Sequence, residues 1–481
     1  MNTIEQLYSS YTGHDASNVQ PIAGAGSPRR YFRLSSPESG TLIGVQGASA
    51  DENRTFVALS RHLAAKGLNV PNVVAVSDDC MSYLQTDLGD LSLFDSLTAC
   101  RNSGVYDEEA YLLLAETMKQ LASMQINGDA GLDYDRICYP VSRFDERSVM
   151  FDLNYFKYCF LKASGLEYDE NRLQDDFELM SRQLPQIQPA GFMYRDFQSR
   201  NVMIKEGKPW FIDFQGGRRG PVHYDVASFL WQARAQYPDD LREHLLDEYL
   251  TALRATGITI DTATFRRDLA GFVLFRILQV LGAYGFRGYY ERKSLFLQSI
   301  GLAIGNLRQL LQDGIADDYP YLKETLGKLV ALPRFTAATP RNTLRVTVYS
   351  FSYRMGIPDD RSGNGGGFVF DCRAIHNPGR YAQYAKLTGL DEPVIRFLED
   401  DGEIFPFIDN ACTLVDAAVE KYLKRGFTHL QAAFGCTGGR HRSVYAAQAL
   451  ANHLHGKYPE IEVLLIHREQ HITTTYPPHT S

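Results

Sequence analysis

The chain has 481 residues, enough for two or three domains that each bury a core, and a formal net charge of −8, which disfavours a dedicated nucleic-acid binder with its basic face. Seven scattered cysteines, odd in number and free of C-x-x-C pairs, argue for neither a disulfide framework nor a zinc site and fit a reducing cytoplasm. Met1–Gln6 lacks the basic and apolar regions of a signal peptide, and the most apolar stretch, Gly271–Phe286, is interrupted by Arg276 and Gln279; it is expected to be a buried helix too short to cross a membrane.

In chain order, a strand-rich segment fills about the first 90 residues and includes Gly24-Ala25-Gly26-Ser27, a turn whose backbone N–H groups could also cover phosphates, and a strand at Thr41–Gly47. Helical periodicity begins near Leu91 and is clear over Tyr111–Leu121. Ala190–Met193, Val202–Ile204 and Pro209–Ile212 then read as strands, with Lys205–Lys208 turning between the last two. Helices follow from Asp225 to about Leu329, broken at Pro238 and at Gly257-Ile258-Thr259. The small, proline-flanked run Leu332–Asn342 reads as a linker. Beyond it strands at Leu344–Tyr349, Gly367–Asp371, His429–Phe434 and Val463–Ile466 alternate with helical runs, the pattern of a mostly parallel α/β domain. The expected division is therefore a first domain at 1–335 (a β-rich lobe to about 90, a helical lobe beyond), a linker at 336–343, a smaller α/β domain at 344–470 and a disordered tail at 471–481. The fold class is α/β and α+β in two domains.

Two motifs carry chemistry. Tyr194-Arg195-Asp196-Phe197-Gln198-Ser199-Arg200-Asn201, followed by Phe211-Ile212-Asp213-Phe214, has the spacing of the kinase loop H-R-D-x-x-x-x-N and its metal-binding aspartate. Phosphoryl transfer needs little more than this: a carboxylate to orient the attacking hydroxyl, with a carboxamide and a second carboxylate to hold Mg²⁺ against the phosphates of ATP. Taken singly, an Asp or Asn near a turn would only cap backbone groups. The nucleotide-anchoring lysine of a V-A-I-K-like strand is missing from Thr41–Gly47, so Arg29, Arg30 or Arg33 could supply that charge, or could be solvated arginines on a strand edge.

The second motif, Gly435-Cys436-Thr437-Gly438-Gly439-Arg440-His441-Arg442-Ser443, lies between a strand and a helix. Its glycines let backbone N–H groups converge at a helix N-terminus, and its arginines add charge-assisted donors, so a phosphate is the natural ligand. The spacing is not that of a Walker A loop. Cys436 and Arg442 also stand in the Cys-x-x-x-x-x-Arg spacing of cysteine phosphatases, a competing reading.

Over most of its first 330 residues the sequence resembles the aminoglycoside phosphotransferase and choline kinase superfamily, which shares the bilobal protein-kinase core. More narrowly it resembles the branch that phosphorylates cell-wall amino sugars, N-acetylmuramate and N-acetylglucosamine, at the anomeric hydroxyl. The residues that carry this are Arg29–Leu34, Asp87-Leu88-Gly89-Asp90, the Arg195–Asn201 loop and Ile212–Gln215 through Arg219–Ser228. The resemblance implies Asp196 as catalytic base, Asn201 and Asp213 as Mg²⁺ ligands, and an amino-sugar substrate; Tyr194 replaces the usual loop histidine in a position that supports loop geometry. Asp225, ahead of Val226–Trp231, is expected to be structural, as a helix N-cap. Residues 344–470 are similar to the C-terminal domain of the RNase adapter RapZ, through Phe351–Pro358, Val369–Arg373 with His376-Asn377-Pro378, Leu387–Asp391 and Gly435–Val444. This implies an amino-sugar phosphate ligand such as glucosamine 6-phosphate, lined by Thr437, Gly438, Gly439, Arg440, His441, Arg442 and Ser443, with Asp371, Arg373 and His376 at the rim; Asp371 could equally hold a turn. The combined expectation is an amino-sugar kinase of peptidoglycan recycling with a sugar-phosphate-sensing domain. The rival is a non-catalytic adapter with a degenerate kinase half. No oligomeric state is read from the sequence.

Overall fold

The structure, a computed structural model, describes residues 3–22, 29–332, 335, 344–360, 367–425 and 427–478. Gly24, Gly26 and the linker at 336–343 lie outside the described residues. The chain divides into two compact units, residues 1–286 with 302–332 and residues 287–301 with 333–481. The segment Arg287–Gly301, placed in the first domain on sequence grounds, groups with the second unit.

The first unit opens with a five-stranded antiparallel sheet, order β1-β2-β3-β5-β4, built from β1 (Asn18–Ile22), β2 (Arg30–Ser36), β3 (Gly40–Gln46), β4 (Val73–Val76) and β5 (Ser82–Thr86). Leu34 and Leu84 on this sheet bury against Ile4 and Tyr8 of the helix Thr3–Thr12. The helix Ala50–Ala65 follows β3; Ser49 caps it by accepting from the Glu52 N–H, and its Phe56, Leu59 and Leu63 are buried. From Leu93 onward the unit is mainly helical. Asp107, Asp145 and Asp261 cap the helices Glu108–Asn127, Glu146–Phe156 and Thr262–Gly285 in the same way.

Two short ribbons interrupt the helices. Strand β6 (Ala190–Met193) pairs with β9 (Arg218–Pro221), and β7 (Val202–Lys205) pairs with β8 (Lys208–Phe211). The β7–β8 turn has positive φ at both Glu206 (53°) and Gly207 (72°), the twist that closes a two-residue hairpin. The helical run Thr262–Tyr290 reaches 29 residues, longer than its sequence suggests and sufficient by length and composition to cross a membrane. Instead, 61% of its most apolar window is buried, and Arg276 within it donates to the hydroxyls of Tyr224 and Ser228. It is a core helix.

The second unit holds a five-stranded sheet, order β11-β12-β10-β13-β14, from β10 (Arg345–Ser352), β11 (Phe368–Asp371), β12 (His429–Cys436), β13 (Glu462–His467) and β14 (Ile472–Tyr476). The first four run parallel, and β14 lies antiparallel on β13. Residues 472–476 are thus a strand and not a disordered tail: alternating faces of Ile472-Thr473-Thr474-Thr475-Tyr476 continue the sheet, and the Tyr476 hydroxyl accepts from Gln448 Nε2 at 2.9 Å. Apolar residues of the parallel strands (Val346, Val348, Ala432, Phe434, Val463, Leu465) and of the helix Arg442–Lys457 (Leu450, Leu454) form its core.

Candidate active site and phosphate loop

In the first unit, β6 runs directly into the loop bearing Asp196. Arg195 and Asp213 both adopt left-handed backbone, φ 79° and 70°, a conformation that costs a non-glycine residue on the order of 1 to 2 kcal/mol and persists only where its surroundings enforce it. At Arg195 the enforcing group is Asp225. Its fully buried carboxylate accepts from the backbone N–H of Tyr194 (2.8 Å) and of Arg195 (2.9 Å) and from Gln125 Nε2 (3.1 Å), and burial lifts its carboxyl to about 6. The N-cap expected of Asp225 is not made: its helix, His223–Leu230, has already begun, so the side chain sits inside the first turn and reaches the catalytic loop. Tyr194, buried between Phe197 and Phe214, donates its hydroxyl to the Ile212 carbonyl, fastening the Asp196 segment to the Asp213 segment. Arg195 is held by Asp152 through both Nη atoms at 3.1 Å, with its guanidinium over the Tyr224 ring.

The three motif residues converge. Asn201 Nδ2 donates to the Asp196 carbonyl at 2.8 Å, which leaves the amide oxygen as an acceptor, and the Asn201 carbonyl accepts from Ile212 N–H at 3.0 Å, one residue before Asp213. Asp196 is exposed. Asp213 receives Gln215 Nε2 at 2.8 Å, and its carboxyl is raised above the ordinary range, first by burial and then by the negative charge of Asp196. Two carboxylates beside a carboxamide oxygen form a hard oxygen set suited to a divalent cation. Among the described residues no three His, Cys, Asp or Glu side chains cluster as a metal site.

Of the three candidate anchoring arginines, the structure brings one to the site. Arg29 is buried, pairs with Glu52 Oε2 at 3.1 Å and lies 3.9 Å from Asp213. Arg30 is exposed on β2 and donates to Gln46 at 2.8 Å. Arg33 is committed to Asp87 (2.7 and 3.1 Å) and Asp90 (2.9 and 2.8 Å), bracing β2 against the Asp87–Asp90 segment. Sequence reasoning missed Glu52, an acidic residue in the first turn of the helix after β3, and Asp152.

In the second unit the loop after β12 lies at the carboxyl ends of the parallel strands, where Gly435 is in register with Asp371 and Cys436 with Ser352, the edge at which such sheets bind ligands. Gly439 has φ 62°, and a Cβ there would stand 2.6 Å from the Glu469 side chain and 2.7 Å from the Ser352 nitrogen. The loop's carbonyls are tied down: Thr437 O accepts from Ser352 Oγ (2.8 Å), Gly439 O from Gln470 Nε2 (3.0 Å) and Arg440 O from Gly389 N–H (2.9 Å). Thr437, Gly438 and the Arg440 side chain are exposed at the mouth, whereas His441, Arg442 and Ser443 are buried. Three of the expected phosphate ligands bond backbone carbonyls through their side chains, Arg440 by donating from Nη1 to Ala385 at 3.2 Å. His441 Nε2 meets the Tyr384 carbonyl at 3.0 Å, and Arg442 Nη1 donates to the carbonyls of Arg373 (2.9 Å) and Ile375 (2.7 Å), holding the turn after β11.

Burial pushes the Cys436 thiol up, but the Ser443 hydroxyl 3.2 Å away, the Ser443 and Arg440 amides and the Arg442 charge outweigh it and leave the thiol below its ordinary value. The thiol is nevertheless 3% exposed and the paired arginine is committed to carbonyls, an arrangement unlike a phosphatase nucleophile. At the rim, Asp371 does hold a turn, accepting from Arg373 N–H at 2.9 Å, and pairs with the Arg373 guanidinium. His376 faces away from this role: its Nδ1 meets Asp401 at 2.6 Å and its ring packs on Tyr381 and Phe397.

A kinase-like loop with its aspartate-bearing strand end, followed by a separate parallel sheet with a glycine-rich loop, defines a phosphotransferase carrying a second α/β domain. Comparison with known proteins agrees. Residues 18–258 match the phosphotransferase enzyme family and residues 344–471 match the RapZ C-terminal domain. The chain belongs to the phosphotransferase enzyme family. It is similar to the N-acetylmuramate/N-acetylglucosamine kinase of Neisseria meningitidis serogroup B, 25% identical over 306 residues, 62% of this chain and 88% of that protein. It is also similar to a nucleotide-binding protein of Glaesserella parasuis serovar 5, 35% identical over 132 residues, 27% of this chain and 44% of that protein. The chain spans 34% to 52% of the length of this and two further nucleotide-binding relatives. Among solved structures, choline kinase from Cryptosporidium parvum Iowa II aligns with a TM-score of 0.45 at 12% identity, covering 66% of this chain and 94% of that one.

Proposed function

We propose that the chain is an ATP- and Mg²⁺-dependent kinase of a cell-wall amino sugar, N-acetylmuramate or N-acetylglucosamine, acting at the anomeric hydroxyl in the cytoplasm during peptidoglycan recycling. The observation that carries this reading is the convergence of Asp196, Asn201 and Asp213 through the Asn201–Asp196 and Ile212–Asn201 hydrogen bonds. The exposed Asp196 carboxylate accepts the proton of the attacking hydroxyl. The Asn201 amide oxygen and the Asp213 carboxylate would hold Mg²⁺, which would supply charge neutralisation at the phosphates. Arg29, fixed by Glu52, supplies the cation that the absent strand lysine would give. The similarity to the meningococcal kinase, over most of that protein's length, favours the amino-sugar acceptor.

The second unit, in this reading, binds an amino-sugar phosphate such as glucosamine 6-phosphate. The backbone of Thr437–Arg440 with the Arg440 side chain faces the phosphate, and Glu469 Oε2, buried beside Gly439 without a donor among the described residues, suits an amine.

The test is direct. Purified protein is incubated with ATP, Mg²⁺ and each sugar; ADP release dependent on either sugar, with an anomeric phosphate seen by ³¹P NMR, is expected. Release with neither sugar overturns the kinase reading. A rise in thermal midpoint with glucosamine 6-phosphate, and not with glucosamine, is expected for the second unit.

A further inference from the structure

Arg218 is the first residue of β9 and pairs in register with Met193, the last residue of β6, so it stands beside the start of the catalytic loop. It is 9% exposed. Its one side-chain hydrogen bond runs from Nε to the Gly216 carbonyl at 3.3 Å, and among the described residues it makes no ion pair. The nearby carboxylate, Asp152, is already held by Arg195 through both Nη atoms. Two guanidinium groups thus share one carboxylate. A buried cation without a counter-ion is unfavourable, and it is kept in a fold where a ligand supplies the missing charge.

The electrostatics agree with the geometry. Burial first, and then the charge of Arg195, pull Arg218 down to about 10, so it stays charged at neutral pH. The groups acting most strongly on it are Arg195, Tyr224, Asp152 and Cys138, all of the helical lobe, and both Arg195 and Tyr224 also sense the charge of Asp196. Arg218 therefore stands, on the helical-lobe side, at the end of the strand that leads three residues on to Asp196. Arg29 with its partner Glu52, in contrast, comes from the β-rich segment.

We propose that Arg218 receives a carboxylate carried by the acceptor, so that the enzyme selects an acidic amino sugar over its uncharged counterpart. The proposal rests on the amino-sugar kinase reading above. A guanidinium matches a carboxylate in a planar, two-bond geometry that an ammonium cannot reproduce. N-acetylmuramate and N-acetylglucosamine differ by one lactyl carboxylate on the same ring and so separate this role from every other. The other oxyanion that could occupy the site is the phosphoryl group in transfer, which is common to both sugars.

The full-length protein is compared with Arg218→Met and Arg218→Lys in steady-state kinetics on both sugars and in thermal unfolding. Arg218→Met is expected to raise KM for N-acetylmuramate on the order of 10- to 100-fold, the loss of a hydrogen bond to a charged group, and KM for N-acetylglucosamine by less than about threefold. Arg218→Lys recovers part of the loss. The thermal midpoint of Arg218→Met should hold or rise, because an unpaired buried charge has been removed. Equal losses on both sugars would assign the residue to the phosphoryl group and overturn the proposal. A lowered midpoint with an unchanged sugar preference would make it structural, with the same result. Should the wild type phosphorylate neither sugar, the kinase reading fails separately, and calorimetric binding of N-acetylmuramate by wild type but not by Arg218→Met still decides the carboxylate; equal binding by both overturns it.

Discussion

The two loops of this chain are built in opposite ways. In the catalytic loop the backbone is strained and buried so that side chains can face outward: left-handed Arg195 and Asp213, clasped by Asp225 and Tyr194, present the Asp196 carboxylate and the Asn201 amide. In the Gly435–Ser443 loop the side chains of His441 and Arg442 are buried and bonded to carbonyls, so that the backbone around Gly438 and Gly439, with the exposed Arg440 side chain, is what remains to meet a ligand. A site that does chemistry needs particular functional groups, whereas a site that recognises an oxyanion needs only converging N–H dipoles.

The sharpest way to break this contrast is to change a side chain of the catalytic loop and then the carboxylate that clasps it. Asp196→Asn keeps the shape and deletes the proton acceptor, and should lower kcat on the order of 10²- to 10⁴-fold in a sugar-dependent ADP assay while leaving the thermal midpoint in place. Undiminished turnover would show that this loop, too, works through its backbone. Asp225→Asn comes next. An amide cannot accept from Tyr194, Arg195 and Gln125 together, so a buried donor is left unmet, at a cost of about 1 to 3 kcal/mol in urea unfolding, and the loop loses its clasp. Its pH signature is distinctive. A carboxyl lifted from 3.8 to about 6 by folding favours the protonated form, so the penalty for ionising it is absent below pH 4, grows between pH 4 and 6 and is complete above 6, amounting to roughly 3 kcal/mol. Wild-type stability should therefore carry a downward contribution across that window that Asp225→Asn lacks, measurable as a difference in slope between the two pH profiles.

The same contrast explains what could be read from the sequence. Asp196, Asn201 and Asp213 were legible because side-chain chemistry imposes residue types at fixed spacings, and the β7–β8 hairpin around them followed from Glu206-Gly207 and its flanking strands. The Arg29–Glu52 pair was only half legible, since its partners lie 23 residues apart and meet only in the folded sheet-and-helix arrangement. Asp225 looked like a cap because it precedes an apolar helical run; its real partners are 30 and 31 residues upstream. Arg442 was only partly legible for a related reason. A cation in a glycine-rich loop suggests an anion ligand; the carbonyls of Arg373 and Ile375, some 70 residues away, take its Nη1, while its buried Nε has no partner among the described residues. β14 was lost because a strand at a sheet edge is defined by its neighbour, here β13, more than by its own composition.

Two smaller perturbations of the second unit sharpen the comparison further. Gly439→Ala combines left-handed backbone with a Cβ that would stand 2.6 Å from the Glu469 side chain and 2.7 Å from the Ser352 nitrogen. It should cost about 1 to 2 kcal/mol or more in unfolding of that unit and abolish the thermal shift with glucosamine 6-phosphate, while sugar-dependent ADP release continues. A shift that survives would mean the ligand is held by side chains after all. The smallest effect belongs to the rim. Asp371 and Arg373 pair at 2.7 Å with both side chains about half exposed, so water screens their attraction and the pair contributes little. Arg373→Ala should therefore barely move the unfolding midpoint. If the loop's backbone is what grips the phosphate, ligand affinity should also change by no more than about threefold, whereas a tenfold or larger weakening would return a side-chain cation to the site and erase the distinction between the two loops.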